Sequence, residues 1–524
     1  MISCPALPEV RSTRDDPLAC ARAEGALALI ISPAPDAQED SGEAEPRSGP
    51  FEPLREVAAA YGIDLEAVVA DQRVGGPGSV HVIELPPPLA DGGPWQSLPR
   101  RVILAGAGGG DPRELRDAGT AVARAAAGLP HLVVALRAPL DAARSLALLE
   151  GLMLPAYRMP RIAAGEAPGR AACPEIVVSG ELDEGSIPVA AAGVWGTFLA
   201  RTLAATPSNI KDPEWLARQV TDLVAAAADE RLTVEVRDED WLARRGLNAI
   251  LAVGAGSASP PRLVSVRYDP AGSAPEVALV GKGITFDTGG LSLKPREAMV
   301  PMKTDMSGAA IVLAAVLAAA RLDAPRPAVA VLALAENAFG GASCRPGDVV
   351  RTVDGTTVEI GNSDAEGRMV LADAIAWVRS EYAPTVVVDV ATLTGAATLA
   401  LGRGHAALYA TDAALESALV DGGALHGEEL WPMPLVEDYR DSLRSEVADL
   451  AHIANNEYVH AGSVIAALFL RHFARDTPWA HLDIAGPGRT GAKTPEMPAQ
   501  APTGFGVRTL LGLLLGAPAA TAGA

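Results

Sequence analysis

Three near-continuous apolar runs, at residues 276–280, 328–335 and 385–390, constrain this chain most. A strand that is apolar at consecutive positions must be covered on both faces. Helical patterns at 308–322, 368–380 and 463–473 are interleaved with these runs or follow them. Strands separated by helices predict a central, mostly parallel sheet covered by helices. Ligands of such sheets bind beyond the carboxyl ends of the strands. Residues 348–360 alternate around Asp354-Gly355, which predicts a hairpin leading into the segment after it.

At 524 residues the chain is too long for one ordinary core. Its first part also alternates. Strands are expected at 25–32, 79–85, 101–105 and 131–136, helices at 54–70, 111–127 and 140–153, and a Pro/Glu/Ser-rich mobile loop at 33–50. Gly106 to Gly110 follows a strand and precedes a helix, but it lacks the third glycine of a dinucleotide fingerprint and reads as a plain turn. An alanine-rich helix at 190–204 links the halves, and Asp212-Pro213 caps another at 212–229. The expected fold is therefore α/β: an N-terminal α/β domain over 1–180, a linking helix within 181–210, and a larger C-terminal catalytic α/β domain over 211–524.

The net charge of −21 argues against nucleic acid or an anionic membrane as partner, because phosphate binding needs a basic surface. Cys4, Cys20, Cys173 and Cys344 are scattered without a Cys-x-x-Cys pair, which fits free thiols in a reducing compartment. The first residues carry no basic stretch followed by an apolar run, so no secretory signal is expected. The longest apolar helical stretch, 311–322, is too short to cross a bilayer and reads as a core helix. A cytoplasmic protein is expected.

Chemistry-bearing residues gather in three segments. Lys282, Asp287 and Lys294 lie in the first, Asp305 in Met302-Lys303-Thr304-Asp305, and Asp364, Glu366 and Arg368 in Asn362-Ser363-Asp364-Ala365-Glu366-Gly367-Arg368. Lys282 and Asp287 come just after the first apolar strand. Asp364 and Glu366, two residues apart, share a side if the chain there is extended. Four carboxylates beside Gly-rich turns suit divalent cations with oxygen ligands, and can hold two of them about 3.5–4 Å apart. A lysine beside two cations, such as Lys282, can lose its proton and offer a neutral amine. Lys294 would stay charged and stabilise an oxyanion. Arg368 can hold a small planar anion in a fork of donors. Each residue alone also fits a simpler role: Asp287 or Asp305 as a turn or helix cap, Asp364 and Glu366 on a solvated loop. His405 and His481 read as supporting or structural residues, and Asp483 as a capping or packing carboxylate. No Gly-x-Ser-x-Gly elbow and no phosphate loop is present.

The three segments resemble the leucyl aminopeptidase (cytosol aminopeptidase) family of dimetal peptidases. Asn362-Ser363-Asp364-Ala365-Glu366-Gly367-Arg368 is similar to that family's Asn-Thr-Asp-Ala-Glu-Gly-Arg signature, with Ser363 where threonine is usual. The similarity runs over about residues 190–508 and includes Trp431-Pro432-Met433-Pro434-Leu435 and Trp479-Ala480-His481-Leu482-Asp483. The resemblance implies one metal on Asp287, Asp364 and Glu366, and another on Lys282, Asp287, Asp305 and Glu366. It implies Mn or Zn, with Mg or Co as options, and no other cofactor except bicarbonate held by Arg368 as general base. Lys294 then stabilises the gem-diolate, and Met302, Thr392, Gly395 and Ala485 line the side-chain pocket. Ser307 stands where glycine is common. Gly488 stands where some members carry methionine, which widens the pocket and weakens a strict leucine preference.

The expected function is release of N-terminal residues, leucine and other apolar ones, from peptides with a free N-terminus, by a homohexamer. Two alternatives remain: a dipeptidase narrowed to Cys-Gly or similar, and a regulatory, DNA-binding protein on the same fold.

Overall fold

The computed structural model describes residues 5–31, 52–86, 95, 97–160, 170–455 and 459–516. Cys4 and the whole of the loop expected at 33–50 lie outside them. The chain divides into two compact units, Pro5–Val194 and Trp195–Ala524. The division falls inside the helix Ser186–Ala205.

The first unit is built on strands β1 (Glu9–Thr13), β2 (Ala26–Ile31), β3 (Val80–Glu84), β4 (Arg101–Gly106), β5 (His131–Ala135) and β6 (Glu175–Ser179), in the order β1-β6-β5-β2-β4-β3. All neighbours are parallel except the antiparallel β3–β4 pair. Helices Pro112–Ala125 and Ala142–Met153 follow β4 and β5. The glycine turn after β4 ends in a capping box. Asp111 accepts from the Glu114 N–H at 2.9 Å and Glu114 accepts from the Asp111 N–H at 3.2 Å. The helix expected over 54–70 is two helices, Glu52–Tyr61 and Leu65–Asp71. The second is recapped by Asp64, whose carboxylate takes the Ala67 N–H.

Among the described residues, the main sheet of the second unit has eight strands: β7 (Leu232–Arg237), β8 (Arg262–Tyr268), β9 (Val277–Asp287), β10 (Ala328–Asn337), β13 (Val386–Ala391), β14 (Ala406–Ala410), β15 (Leu430–Pro432) and β17 (Trp479–Asp483). Their order is β15-β14-β17-β13-β9-β10-β8-β7. The centre, β17-β13-β9-β10, is parallel, and antiparallel pairs flank it. Every residue of β13 and β17 is buried, as continuous apolar strands require. A small sheet, β11 (Val349–Arg351), β12 (Thr357–Glu359) and β16 (Leu450–Ala451), contains the expected hairpin and pairs it with β16.

Among the described residues, two helical runs, Ser186–Ala205 and Arg296–Arg321, are long and apolar enough to cross a membrane, more than the sequence pattern at 311–322 indicates. Both are mostly buried in the fold, as core helices are.

One buried carboxylate ties the unit together. Asp373, in the helix Glu366–Tyr382, accepts the Ala249 and Ile250 N–H groups at 2.8 and 3.1 Å, and the Val353 N–H at 2.8 Å. It thereby caps the helix Asn248–Gly254, whose own N-cap residue, Leu247, makes no side-chain cap. Burial pushes its carboxyl up to about 7, against the pull of those three donors. A folded-state value above the unfolded one favours the fold at low pH, and that advantage is lost as pH rises from about 4 through 7. The stability margin of the wild type over Asp373→Asn, which cannot titrate, should therefore be larger at pH 5 than at pH 8. Thermal melts of both proteins at the two pH values check this; a margin that grows with pH contradicts it.

Candidate active site

The site forms at the carboxyl ends of the central strands. Lys282 and Asp287 do not follow a strand ending at 280, as the sequence pattern predicts; both lie within β9. The glycines at 281 and 283 do not end the strand: both pair with β10, and Gly281 also pairs with β13. Residues five apart in a regular strand point to opposite faces. Here Ile284 pairs with Ala335 and Asp287 with Asn337, so two residues of β9 stand opposite one of β10. The bulge shifts the parity by one and turns Lys282 and Asp287 to the same side.

The other carboxylates arrive from two helix starts. Asp305 ends the short 3-10 turn Val300–Thr304 ahead of the helix Ser307–Arg321. Glu366 is the first residue of the helix Glu366–Tyr382. Residues 362–365 make a turn rather than the extended chain expected, and this turn sets Asp364 and Glu366 side by side. Asp287, Asp364 and Glu366 each offer an oxygen within 4.8 Å of the others. Gly367 makes room for Lys282: a Cβ there would lie 2.6 Å from Lys282 Cε.

Two lysines hold the carboxylates. Lys282 Nζ lies 2.9 Å from Asp305 Oδ2 and 2.8 Å from Glu366 Oε1, and donates to the Thr392 carbonyl at 3.1 Å. Lys294 Nζ lies 2.8 Å from Asp287 Oδ2 and also contacts Asp364 Oδ1. Burial alone would lower the Lys282 value, but Asp305, Glu366 and Asp287 outweigh it and raise it. The Lys294 value is raised on the same balance, by Asp287 and Glu366. Burial pushes the Asp287 carboxyl up to about 7, helped by Glu366 and Asp305. Burial also raises the Glu366 and Asp364 values. Asp305 Oδ2 and Glu366 Oε1 are buried without an aligned hydrogen-bond donor among the described residues, although each is within ion-pair range of Lys282. Four acidic side chains against two ammonium groups leave a buried surplus of negative charge, which is costly without further cations.

Arg368 is buried, and its Nη1 donates to the His452 carbonyl at 2.7 Å. Burial brings its value down to about 10. It borders an open cleft of about 260 Å³ with Asp364, Glu366, Gly395 and Ala396. Gly395 starts the helix Gly395–Leu401, after Thr394, which Asp483 holds at both its N–H and its hydroxyl. Thr394 itself caps the helix by accepting the Ala397 N–H, and Asp483 holds that cap in place. Thr392 donates its hydroxyl to Asp305 Oδ1 at 2.7 Å. Met302 accepts the Asp305 N–H at 3.1 Å, and Ala485 donates its N–H to Asp483 at 3.2 Å. Met302, Thr392 and Ala485 are not among the residues lining this cleft. His481 is fully buried against Asp389 Oδ1 at 2.6 Å, and His405 stacks edge-on near Trp431.

Two supporting residues, Asn337 and Lys211, and the supporting contacts of Ser363 are not indicated by the sequence pattern. Asn337 ends β10 and donates to Asp287 Oδ1 at 2.8 Å and to the Ser363 carbonyl at 3.0 Å. Its signal was a polar residue at the carboxyl end of an apolar strand. Lys211 is fully buried and donates to the carbonyls of Leu203, Ala204 and Lys303, so it ties the end of the helix Ser186–Ala205 to the turn carrying Asp305. Ser363 donates to the Gly289 carbonyl at 2.7 Å and accepts from the Ser292 N–H at 2.8 Å. It stitches the loop before Lys294 to the segment carrying Asp364.

The mixed α/β fold thus carries a carboxylate–lysine centre at the ends of its central strands. The sequence profile of the cytosol aminopeptidase family's catalytic domain matches residues 198–511. A probable cytosol aminopeptidase of Desulfovibrio desulfuricans is 48% identical over 325 residues, 62% of this chain and 64% of that protein, so this match spans under two thirds of the relative's length. One from Leifsonia xyli subsp. xyli is 44% identical over 408 residues, 76% of this chain and 81% of that protein. The structure of the bottromycin maturation enzyme BotP in complex with Mn is 34% identical, with a TM-score of 0.76, covering 94% of this chain and 99% of that one. The chain belongs to the cytosol aminopeptidase family, a family of metal-dependent peptidases.

The Ser363 stitch makes a prediction. Ser363→Thr keeps a hydroxyl at both contacts and should stay close to wild-type activity. Ser363→Ala leaves the Ser292 N–H without its acceptor and should lose roughly 10–100-fold in activity, the usual range for a residue that orients a site's ligands. Steady-state rates on a chromogenic leucine anilide check this; a fully active alanine variant contradicts it.

Proposed function

We propose that the chain is an aminopeptidase that removes the first residue from peptides with a free N-terminus. The observation that carries this is the buried surplus of carboxylates on an open cleft, in a chain of this family. The donor set fits divalent cations: clustered oxygens, two of them buried without an aligned donor, and a lysine set between two of the carboxylates. Lys282, Asp287, Asp305, Asp364 and Glu366 would hold two such ions, Mn or Zn, with Mg or Co also compatible. Once bound, they supply an activated water and polarise the scissile carbonyl.

The chain's own residues do the rest. Cations on the carboxylates would take over the charge that Lys294 now balances on Asp287 and Asp364, and its ammonium would then be available to stabilise an oxyanion. Arg368 donates into the cleft from a rigid position, because the His452 carbonyl and burial fix its guanidinium. A small planar anion such as bicarbonate fits its fork and would take the proton from the attacking water. Asn337 and the Gly289 N–H both donate to Asp287 Oδ1 and leave its other oxygen turned to the centre. Met302, Thr392, Gly395 and Ala485 are the proposed pocket for the first side chain. A Cβ at Gly488 would meet the Ile484 carbonyl at 2.6 Å and Thr392 Cγ2 at 3.3 Å. This backbone therefore leaves that pocket wall without a side chain, which favours a broad apolar preference over strict leucine selection. A homohexamer in the cytoplasm is the assembly and location proposed, by likeness to the family.

Chelation should abolish hydrolysis of leucine p-nitroanilide, and Mn or Zn should restore it. The N-acetylated substrate should be inert, because its blocked amine cannot ligate. Turnover by verifiably metal-free protein, or equal turnover of both substrates, contradicts the proposal.

Lys294→Ala should keep its metals and lose about 10²–10³ in kcat, as for loss of an oxyanion donor. Asp287→Ala or Glu366→Ala should lose metal as well as rate. A Lys294→Ala variant that loses its metals would move Lys294 into the ligand set.

A further inference from the structure

His452 follows β16, opposite the chain that leaves β12 for the Asn362–Arg368 segment. It is 1% exposed and meets residues between Glu359 and Arg368 at four points. Its backbone N–H donates to the Glu359 carbonyl at 3.2 Å. Its carbonyl accepts from Arg368 Nη1 at 2.7 Å. Its ring Nε2 lies 2.9 Å from the Asn362 carbonyl, and its Nδ1 lies 3.1 Å from the Gly361 N.

These contacts select one form of the ring. The Asn362 carbonyl can only accept, so Nε2 must carry a proton. The Gly361 N–H can only donate, so Nδ1 must offer its lone pair. Nδ1 also lies 3.2 Å from the Glu359 carbonyl, but a proton there would face the Gly361 N–H and leave that donor without its acceptor. A doubly protonated ring would set two N–H groups against each other at Gly361 and bury a cation near Arg368. Burial, with that Arg368 charge, holds the ring's value down at about 4. Only the neutral Nε2–H tautomer satisfies every neighbour.

We propose that His452, as the neutral Nε2–H tautomer, is a positioning residue that locks the turn bearing Asp364 and Glu366 to the Arg368 guanidinium. The side chain fixes the start of the turn at Gly361 and Asn362. The backbone carbonyl fixes its far end at Arg368. One residue thereby sets the spacing between the carboxylates and the guanidinium across the cleft. Asn337 and Ser363 hold the same turn from β10 and from the loop before Lys294, so the loss of the ring should misplace Arg368 more than it empties the carboxylate cluster.

Three substitutions separate the ring's two nitrogens. A glutamine amide reaches the place of Nε2 and keeps the donor to Asn362. An asparagine amide reaches only the place of Nδ1, and leucine supplies neither. His452→Gln should keep kcat within about 3-fold of wild type. His452→Asn and His452→Leu should lose roughly 10–100-fold in kcat, the usual range for residues that orient a site's ligands, with KM and metal content little changed. Equal rates in all three variants, or loss of metal in step with rate, would overturn the proposal. This kinetic arm rests on the aminopeptidase reading. A second arm does not: ¹⁵N-histidine spectra of the metal-free wild type at pH 6, with His452 assigned by its absence in His452→Gln. The proposal requires a neutral ring protonated at Nε2. A charged ring, or one protonated at Nδ1, overturns it whatever reaction the site performs.

Discussion

The structure depends on one arrangement: Lys282 set between Asp305 and Glu366, inside a cluster that Asp287 and Asp364 complete. Removing one member of a buried pair of this kind commonly costs about 3–5 kcal/mol, because the partner is left charged and unpaired. The fold meets that constraint by making the surroundings rigid. A bulged strand supplies Lys282 and Asp287, and two helix starts supply Asp305 and Glu366. Lys211, Asn337, Ser363 and His452 each hold one of those elements in place through backbone carbonyls or N–H groups.

This distribution of roles explains why the centre tolerates its own charge. A buried carboxylate cluster is unstable unless neutralised, and the two ammonium groups neutralise only part of it. The remaining demand for positive charge is what a divalent cation can satisfy. The same surplus makes the lysines dual in character. They balance carboxylates in the arrangement described, and they become available to a developing oxyanion once cations take over that task.

Much of this was legible in the sequence. The apolar runs gave the parallel centre, and seven chemistry-bearing residues in three short segments are those that the fold brings to one place. The misreadings have local causes. The apolar run stops at Val280 while β9 continues to Asp287 through glycines and polar residues, and nothing in the pattern marks its bulge. Asp364 and Glu366 look like neighbours on extended chain, but a turn and a helix start juxtapose them. The supporting residues were hidden for a different reason. Asn337, Lys211 and His452 act through backbone groups distant in sequence, and no spacing rule records a partner 26, 92 or 90 residues away.

The central claim is that the buried carboxylate surplus is a site for two divalent cations. Calorimetric titration of chelator-stripped protein with Mn²⁺ tests it most directly. The account predicts saturable uptake of about two ions per chain, the number a two-metal hydrolytic centre requires, and loss of that uptake in Glu366→Ala. Stripped wild-type protein that takes up no Mn²⁺ with saturation would contradict it.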